Sequence, residues 1–132
     1  MSPRPYEYYV DIVTKRYFHS VDNKDLPGIL NCFAEDAFIH EMTSDTRHDG
    51  RDQGIKEMFT RLCEDNGRIW HGNFVHTVDT ENEAICSQFS VEIEPAELGE
   101  EEQRYENCNR FYLKDGKFTC VYVYMSGSNL LK

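Results

Sequence analysis

The stretch Arg16–Met42, RYFHSVDNKDLPGILNCFAEDAFIHEM, decides how the rest of the chain is read. It begins inside an apolar stripe, Tyr9, Ile12, Val13, Tyr17 and Phe18, whose spacing predicts an amphipathic helix from Tyr6 to Ser20. Asp22 to Asp25 interrupt the stripe. LPGILNCF then resumes it as a shorter helix, with Pro27 near the first turn, where its missing N–H costs little. AFIHEM, residues 37–42, is short and apolar-rich and reads as a strand. The polar run TSDTRHDGRDQ reads as a loop, and GIKEMFTRLCED, with Ile55, Met58, Phe59 and Leu62 at helical spacing, as a third helix.

After Gly67 the period changes. IWHGNFVHTVD, EAICSQFSVEI, RYENCNRFYL and KFTCVYVYM are runs of β-branched and aromatic residues that predict four strands. They are separated by TEN, by the acidic run Glu92–Glu106, read as a solvated hairpin loop, and by KDG. Such short connections imply antiparallel pairing. Helices followed by strands give an α+β class: three N-terminal helices packed on a strongly curved antiparallel sheet, forming a cone-shaped pocket in a single domain over residues 1–132.

Composition narrows the function. The 132 residues are 39% hydrophobic and 13% aromatic, enough for one core, and no run approaches the length of a membrane span. Fourteen basic against 24 acidic residues give a net charge of -10, which repels phosphate backbones and anionic lipid, so no nucleic-acid or membrane partner is expected. Cys32, Cys63, Cys86, Cys108 and Cys120 form an odd set without a CxxC pair, which predicts reduced thiols rather than a disulfide framework. MSPRPYEYYV has no secretory pattern, and the expected location is cytoplasmic.

The quoted stretch, followed by GRDQGIKEMF and four strands, resembles the superfamily of ketosteroid isomerase, scytalone dehydratase and the SnoaL-type polyketide cyclases, whose fold is named after nuclear transport factor two. The resemblance covers nearly the whole chain. Its motifs encode packing, with Phe33 and Ala37 at the helix-to-strand corner, so it implies an architecture more than a reaction. Against ketosteroid isomerase, Tyr17 falls at the oxyanion-holding tyrosine, Glu41 at the general-base aspartate and Asn109 at the protonated aspartic acid. Two of these three positions are altered in residue type. The resemblance implies a base facing hydrogen-bond donors across a bound carbonyl.

Strand alternation adds its own candidates. Ile39 and Glu41 share a face, so Glu41 is either a partly desolvated base with a raised pKa or a rim carboxylate. Tyr17 lies on the apolar stripe, as a core tyrosine or as a donor to a ligand. Asn107 and Asn109 share a face with Phe111 and Leu113, and buried amides line a polar pocket or hold a network. Alternation groups Trp70, Phe74, His76 and Val78 and leaves His71 opposite, which makes His76 the candidate auxiliary acid or base. Met58, Phe59, Trp70, Phe74, Asn107, Val121 and Met125 are the expected substrate-binding walls. His40 and Glu41 point apart, as do His71 and His76, so no metal site is expected, and the chemistry implied needs no cofactor. Phe118, Cys120, Tyr122 and Tyr124 project with Tyr112 from the opposite sheet face, an aromatic patch that predicts a homodimer.

The expectation is a cofactor-independent isomerase, dehydratase or cyclase that moves a proton next to a carbonyl or phenol on a hydrophobic cyclic small molecule. The alternative is a non-catalytic ligand-binding or protein-interaction domain of the same fold. A third class, the β-subunits of ring-hydroxylating dioxygenases, works beside a catalytic partner and tends to longer chains.

Overall fold

The computed structural model describes residues 4–95 and 101–132. The first helix, α1, has three parts: α-helical Tyr6–Asp11, π-helical Ile12–Phe18 and α-helical His19–Asp22. The wider π turn lets two successive residues, Tyr17 and Phe18, face the core together, at 4% and 3% exposure. It also carries the helix past the expected end at Ser20, to Asp22. Helix α2, Leu26–Leu30, is capped by Asp25, whose carboxylate accepts the Gly28 N–H at 3.1 Å. The predicted continuation to Phe33 does not form, because the ladder takes over there: the Phe118 N–H donates to the Cys32 carbonyl, and Phe33 pairs with Phe118.

Strand β1, Phe33–Glu41, is followed by β2, Thr46–Asp49, inside the segment read as a loop. TRHD has no alternating apolar signal because β2 is an edge strand bonded to β1 alone. Helix α3 comprises π-helical Gly50–Ile55 and α-helical Lys56–Asp65. The remaining strands are β3 Asn66–Asp79, β4 Ala84–Pro95, β5 Gln103–Lys114 and β6 Lys117–Met125. The predicted hairpin loop Glu92–Glu106 is shorter than expected, since β4 runs to Pro95 and β5 starts at Gln103; residues 96–100 lie outside the described residues.

The sheet order is β2-β1-β6-β5-β4-β3, with β1 parallel to β6 and every other pair antiparallel. The fold is thus the expected α+β arrangement of three helices on a curved sheet, mostly rather than wholly antiparallel. The curvature has local causes. Register shifts interrupt the pairing of β3 with β4 between Asn66 and Ile69 and again between Gly72 and Val75, and such bulges bend and twist a strand. The core closes at one end on Tyr17, whose ring meets Phe33, Phe59, Phe111 and Phe118 edge-on at 5.4 to 6.2 Å between centroids. Phe118, expected on the outer face, is fully buried instead, because an extra residue at Thr119 shifts the register of β6 against β5. Each such aromatic pair adds roughly 0.5–1.5 kcal/mol to the burial of its rings.

Candidate functional site

The bulge in β3 puts both of that strand's histidines on the inside. Asn73 takes a left-handed conformation, φ 55°, which an Asn tolerates, and inserts an extra residue between Gly72 and Val75. Strict alternation is broken there. His71 therefore lies opposite Val91 on the concave face, and His76, beyond the bulge, lies opposite Ser87 on that same face. The expectation that His71 points away is corrected, and so is the placing of Trp70. Trp70 pairs with Glu92 on the outer face, and its ring lies across Gly72, where an added Cβ would come within 2.1 Å of Cζ2. It is absent from the pocket because of that outward turn.

A cavity of about 40 Å³ lies between the concave face, α1 and α3. Its walls include Phe18, Val21, Leu62, Phe89, Val91 and Val123, and polar groups enter from His71, Asn107 and Asn109. Of the residues nominated by sequence, Tyr17, Phe59, Asn107, Asn109 and Met125 line it. Met58 and Val121 are fully buried but pack outside its lining. Phe74 stands one layer back, stacked on His76 at 5.5 Å and against Phe18 at 5.4 Å.

Three of the four nominated catalytic residues lie on one lateral row across the sheet, Glu41–Val123–Asn109–Ser87–His76. Only Asn109 in that trio reaches the cavity. His76 pairs with Ser87, Nδ1 to Oγ at 2.8 Å, and burial pushes its pKa below the ordinary histidine value, so it is held neutral. Glu41 is fully buried, as one of the two expectations required. Its pKa is nonetheless lowered rather than raised. Burial pushes it up, but hydroxyl and backbone N–H groups of Ser44 and Thr43 all donate to the carboxylate and outweigh that cost, with both N–H contacts at 2.9 Å. Both oxygens are committed to the β1–β2 turn. Glu41 is built to hold that turn as an anion, which removes the desolvated base its position suggested.

The pair that sequence reasoning missed is Asp22 with His71. Asp22 ends α1 and reaches β3, where His71 Nδ1 contacts Oδ1 at 2.6 Å and the His71 backbone N–H donates to Oδ2 at 3.1 Å. Both carboxylate oxygens are thereby spent on one residue. A carboxylate only accepts, so Nδ1 carries a proton, and in the neutral imidazole Nε2 then keeps its lone pair, on a residue that lines the cavity. The Phe18 ring lies tilted against the imidazole at 4.5 Å and 32°, and Phe89 lies 5.4 Å away. The signal available in the sequence was an acidic residue at a helix end and a histidine before a glycine. Neither reveals that a bulge turns one toward the other.

The remaining polar groups are donors and acceptors. Tyr17 stays a neutral hydroxyl, since burial, with Cys32 adding to it, pushes its pKa well above the usual value. Asn107 Oδ1 accepts the Ser126 N–H at 3.2 Å. Asn109 Oδ1 is buried without a hydrogen-bond partner among the described residues. An unpaired buried carbonyl costs about 1–3 kcal/mol, which a bound donor would recover. Among the described residues no three His, Cys, Asp or Glu side chains converge as metal ligands, and no helix is long and apolar enough to cross a membrane.

The model of the family described as SnoaL-like domain matches residues 14–121. No curated protein matches the sequence. Solved structures superpose over most of the chain. A candidate polyketide cyclase from Xanthomonas campestris pv. campestris is 20% identical, with a TM-score of 0.76 over 94% of this chain and 92% of its own. The epoxide hydrolase/cyclase-like enzyme SalBIII of pyran ring formation in polyether salinomycin is 19% identical, with a TM-score of 0.76 over 91% and 92%. A LEH-like epoxide hydrolase of M. tuberculosis is 16% identical, with a TM-score of 0.70 over 91% and 84%. At these identities the likeness is one of fold.

Proposed function

Because this chain belongs to the SnoaL-like domain family, whose model spans most of it, we propose that its cavity is the site of a cofactor-independent proton transfer on a hydrophobic cyclic small molecule. The reaction class is isomerisation, dehydration or ring closure next to a carbonyl or phenol. The observation that carries this reading is His71, backed by Asp22, on the wall of a largely apolar cavity that also presents Tyr17, Asn107 and Asn109.

The chemistry follows from the parts. His71 Nε2 takes a proton from carbon next to the carbonyl, and the imidazolium that forms is stabilised by the Asp22 carboxylate on Nδ1. The electron pair left on carbon moves onto the carbonyl oxygen as an enolate. The Tyr17 hydroxyl or an Asn109 amide N–H is the donor to that oxygen, in apolar surroundings where such a bond counts for more than in water. The imidazolium then returns its proton to a different carbon, completing an isomerisation, or to a departing hydroxyl, releasing water. His76, paired with Ser87 outside the cavity lining, has no part in these steps.

The names of the solved relatives, a candidate cyclase and epoxide-opening or ring-forming enzymes, support a reaction of this general kind. The test is solvent-deuterium exchange into the α-carbon of a panel of cyclic ketones, followed by NMR, with the wild type and His71→Gln. Exchange above the buffer rate that falls by about 10²-fold or more in the variant supports the reading. Exchange unchanged by the substitution overturns it, and a wild type that binds cyclic ligands without any exchange points to the non-catalytic binding domain.

A further inference from the structure

The cavity that holds His71, Asn107 and Asn109 measures about 40 Å³. An apolar cavity of about 150 Å³ is what takes one benzene ring, so no cyclic molecule enters the cavity in this form. What fills the missing space belongs to the chain itself. After β6 the segment Ser126–Lys132 forms neither helix nor strand, and its Leu130 and Leu131 side chains line the cavity beside Met125.

The segment is built to be separable. Ser126, Gly127 and Ser128 are all exposed, and a serine-glycine-serine run is the composition of a flexible link. The two leucines follow it. Beyond the link, side chains hold the tail in place of sheet pairing. His48 Nε2 donates to the Leu131 carbonyl at 2.8 Å, Arg61 Nη2 to the Lys132 carbonyl at 2.7 Å, and Asn129 Nδ2 to Ser44 Oγ at 3.1 Å. Ser44 is the residue that also bonds the buried Glu41 carboxylate, so Glu41 fixes the turn on which the tail is latched. Asn107 holds the base of the segment through the Ser126 N–H.

A second observation points to an absent ligand. Asn109 is 4% exposed and lines the same cavity, yet its Oδ1 has no partner among the described residues. The leucines cannot supply one. A molecule with an apolar ring and one O–H or N–H donor would satisfy the amide while replacing the leucine contacts.

We propose that Leu130 and Leu131 occupy the ligand's place, and that a cyclic apolar molecule bearing one donor group displaces them by swinging the segment out about Ser126–Ser128. This rests on the reading of the cavity as a small-molecule site, though not on His71 acting in catalysis. The resting protein is self-plugged, and its affinity for ligand is lowered by the contacts the plug must give up.

The probe is 2-naphthol, titrated by fluorescence and by two-dimensional 15N–1H NMR into the wild type, Leu131→Ala and Asn129→Ala. The proposal expects the amides of Gly127 and Asn129–Leu131 to move to unstructured-chain positions as 2-naphthol saturates the wild type. It also expects binding at least tenfold tighter in Leu131→Ala. Asn129→Ala leaves every cavity residue in place and guards against poor folding of the first variant; it too binds more tightly. Saturation with the tail amides unmoved, or equal affinities in all three proteins, overturns the plug and leaves the cavity reading standing. Absence of binding in all three overturns both. His71→Gln retaining ligand-induced release while losing proton exchange separates this proposal from the catalytic one.

Discussion

Asp22 and His71, 49 residues apart, meet through two contacts that use both oxygens of one carboxylate, Oδ1 to the ring at 2.6 Å and Oδ2 to the backbone N–H at 3.1 Å. The ring contact fixes the tautomer, and the backbone contact fixes where α1 ends against β3. One carboxylate therefore couples helix placement to the tautomer of the histidine.

Replacing Asp22 by Asn keeps the size and removes the charge. The imidazolium formed during turnover loses its counter-ion, and the amide can present N–H to Nδ1, which favours the wrong tautomer. The expected outcome is a fall of about 10²-fold in kcat for α-proton exchange, with KM little changed. Steady-state rates across pH check it; a change in KM alone would mean that Asp22 only shapes the pocket.

Glu41→Gln tests the anion at the β1–β2 turn. The folded-state pKa of Glu41 lies below its unfolded value, so its stabilisation is present at neutral pH and lost as pH falls through the folded pKa. Losing charge-assisted bonds from Ser44 and Thr43 costs about 2–3 kcal/mol at pH 7. Denaturant melts at pH 7 and pH 3 check it: the difference between wild type and variant is large at the first and shrinks at the second.

His76 carries the same sign of linkage as Glu41 from a different cause. Burial depresses its pKa, so the unfolded chain binds the proton more readily and stability falls as pH drops below the ordinary histidine range toward the folded pKa. His76→Gln should flatten this part of the stability profile between pH 7 and 5. Equal slopes in the two proteins would mean the ring is solvated as in the unfolded chain.

The outer sheet face carries Tyr112, Tyr122 and Cys120 half-buried, with Tyr124 48% and Met42 37% exposed. We propose that a second copy covers this face. Light scattering should give a dimer mass, and Tyr122→Glu should return a monomer, because two carboxylates would be brought together at a symmetric contact. A monomeric wild type contradicts this.

Much of the architecture was legible because it is written in periodicity. The stripe Tyr9, Ile12, Val13, Tyr17 and Phe18 is buried throughout, and the face shared by Asn107, Asn109, Phe111 and Leu113 is the buried face of β5. What failed is what periodicity cannot encode. A single extra residue at Asn73 reversed His71 and Trp70, and an edge strand of polar residues, Thr46–Asp49, left no apolar signal. For Glu41 the sequence left interior and rim both open; it lies inside, and its chemistry is set by the hydroxyls and N–H groups of Thr43 and Ser44, two and three residues along, which alternation ignores. The packing of Leu130 and Leu131 on the cavity depends on where the segment after β6 returns, a tertiary contact with no local signature.

The central claim is that His71, oriented by Asp22, presents a basic Nε2 to the ligand. Imidazole 15N NMR of the protein at pH 8, with and without 4-nitrophenol, tests it most directly. The account predicts that His71 carries its proton on Nδ1 in the free protein, that Nε2 is the nitrogen that shifts when the phenol binds, and that Asp22→Asn abolishes the tautomer preference. A His71 protonated on Nε2, or a bound phenol that leaves both ring nitrogens unchanged, would contradict it.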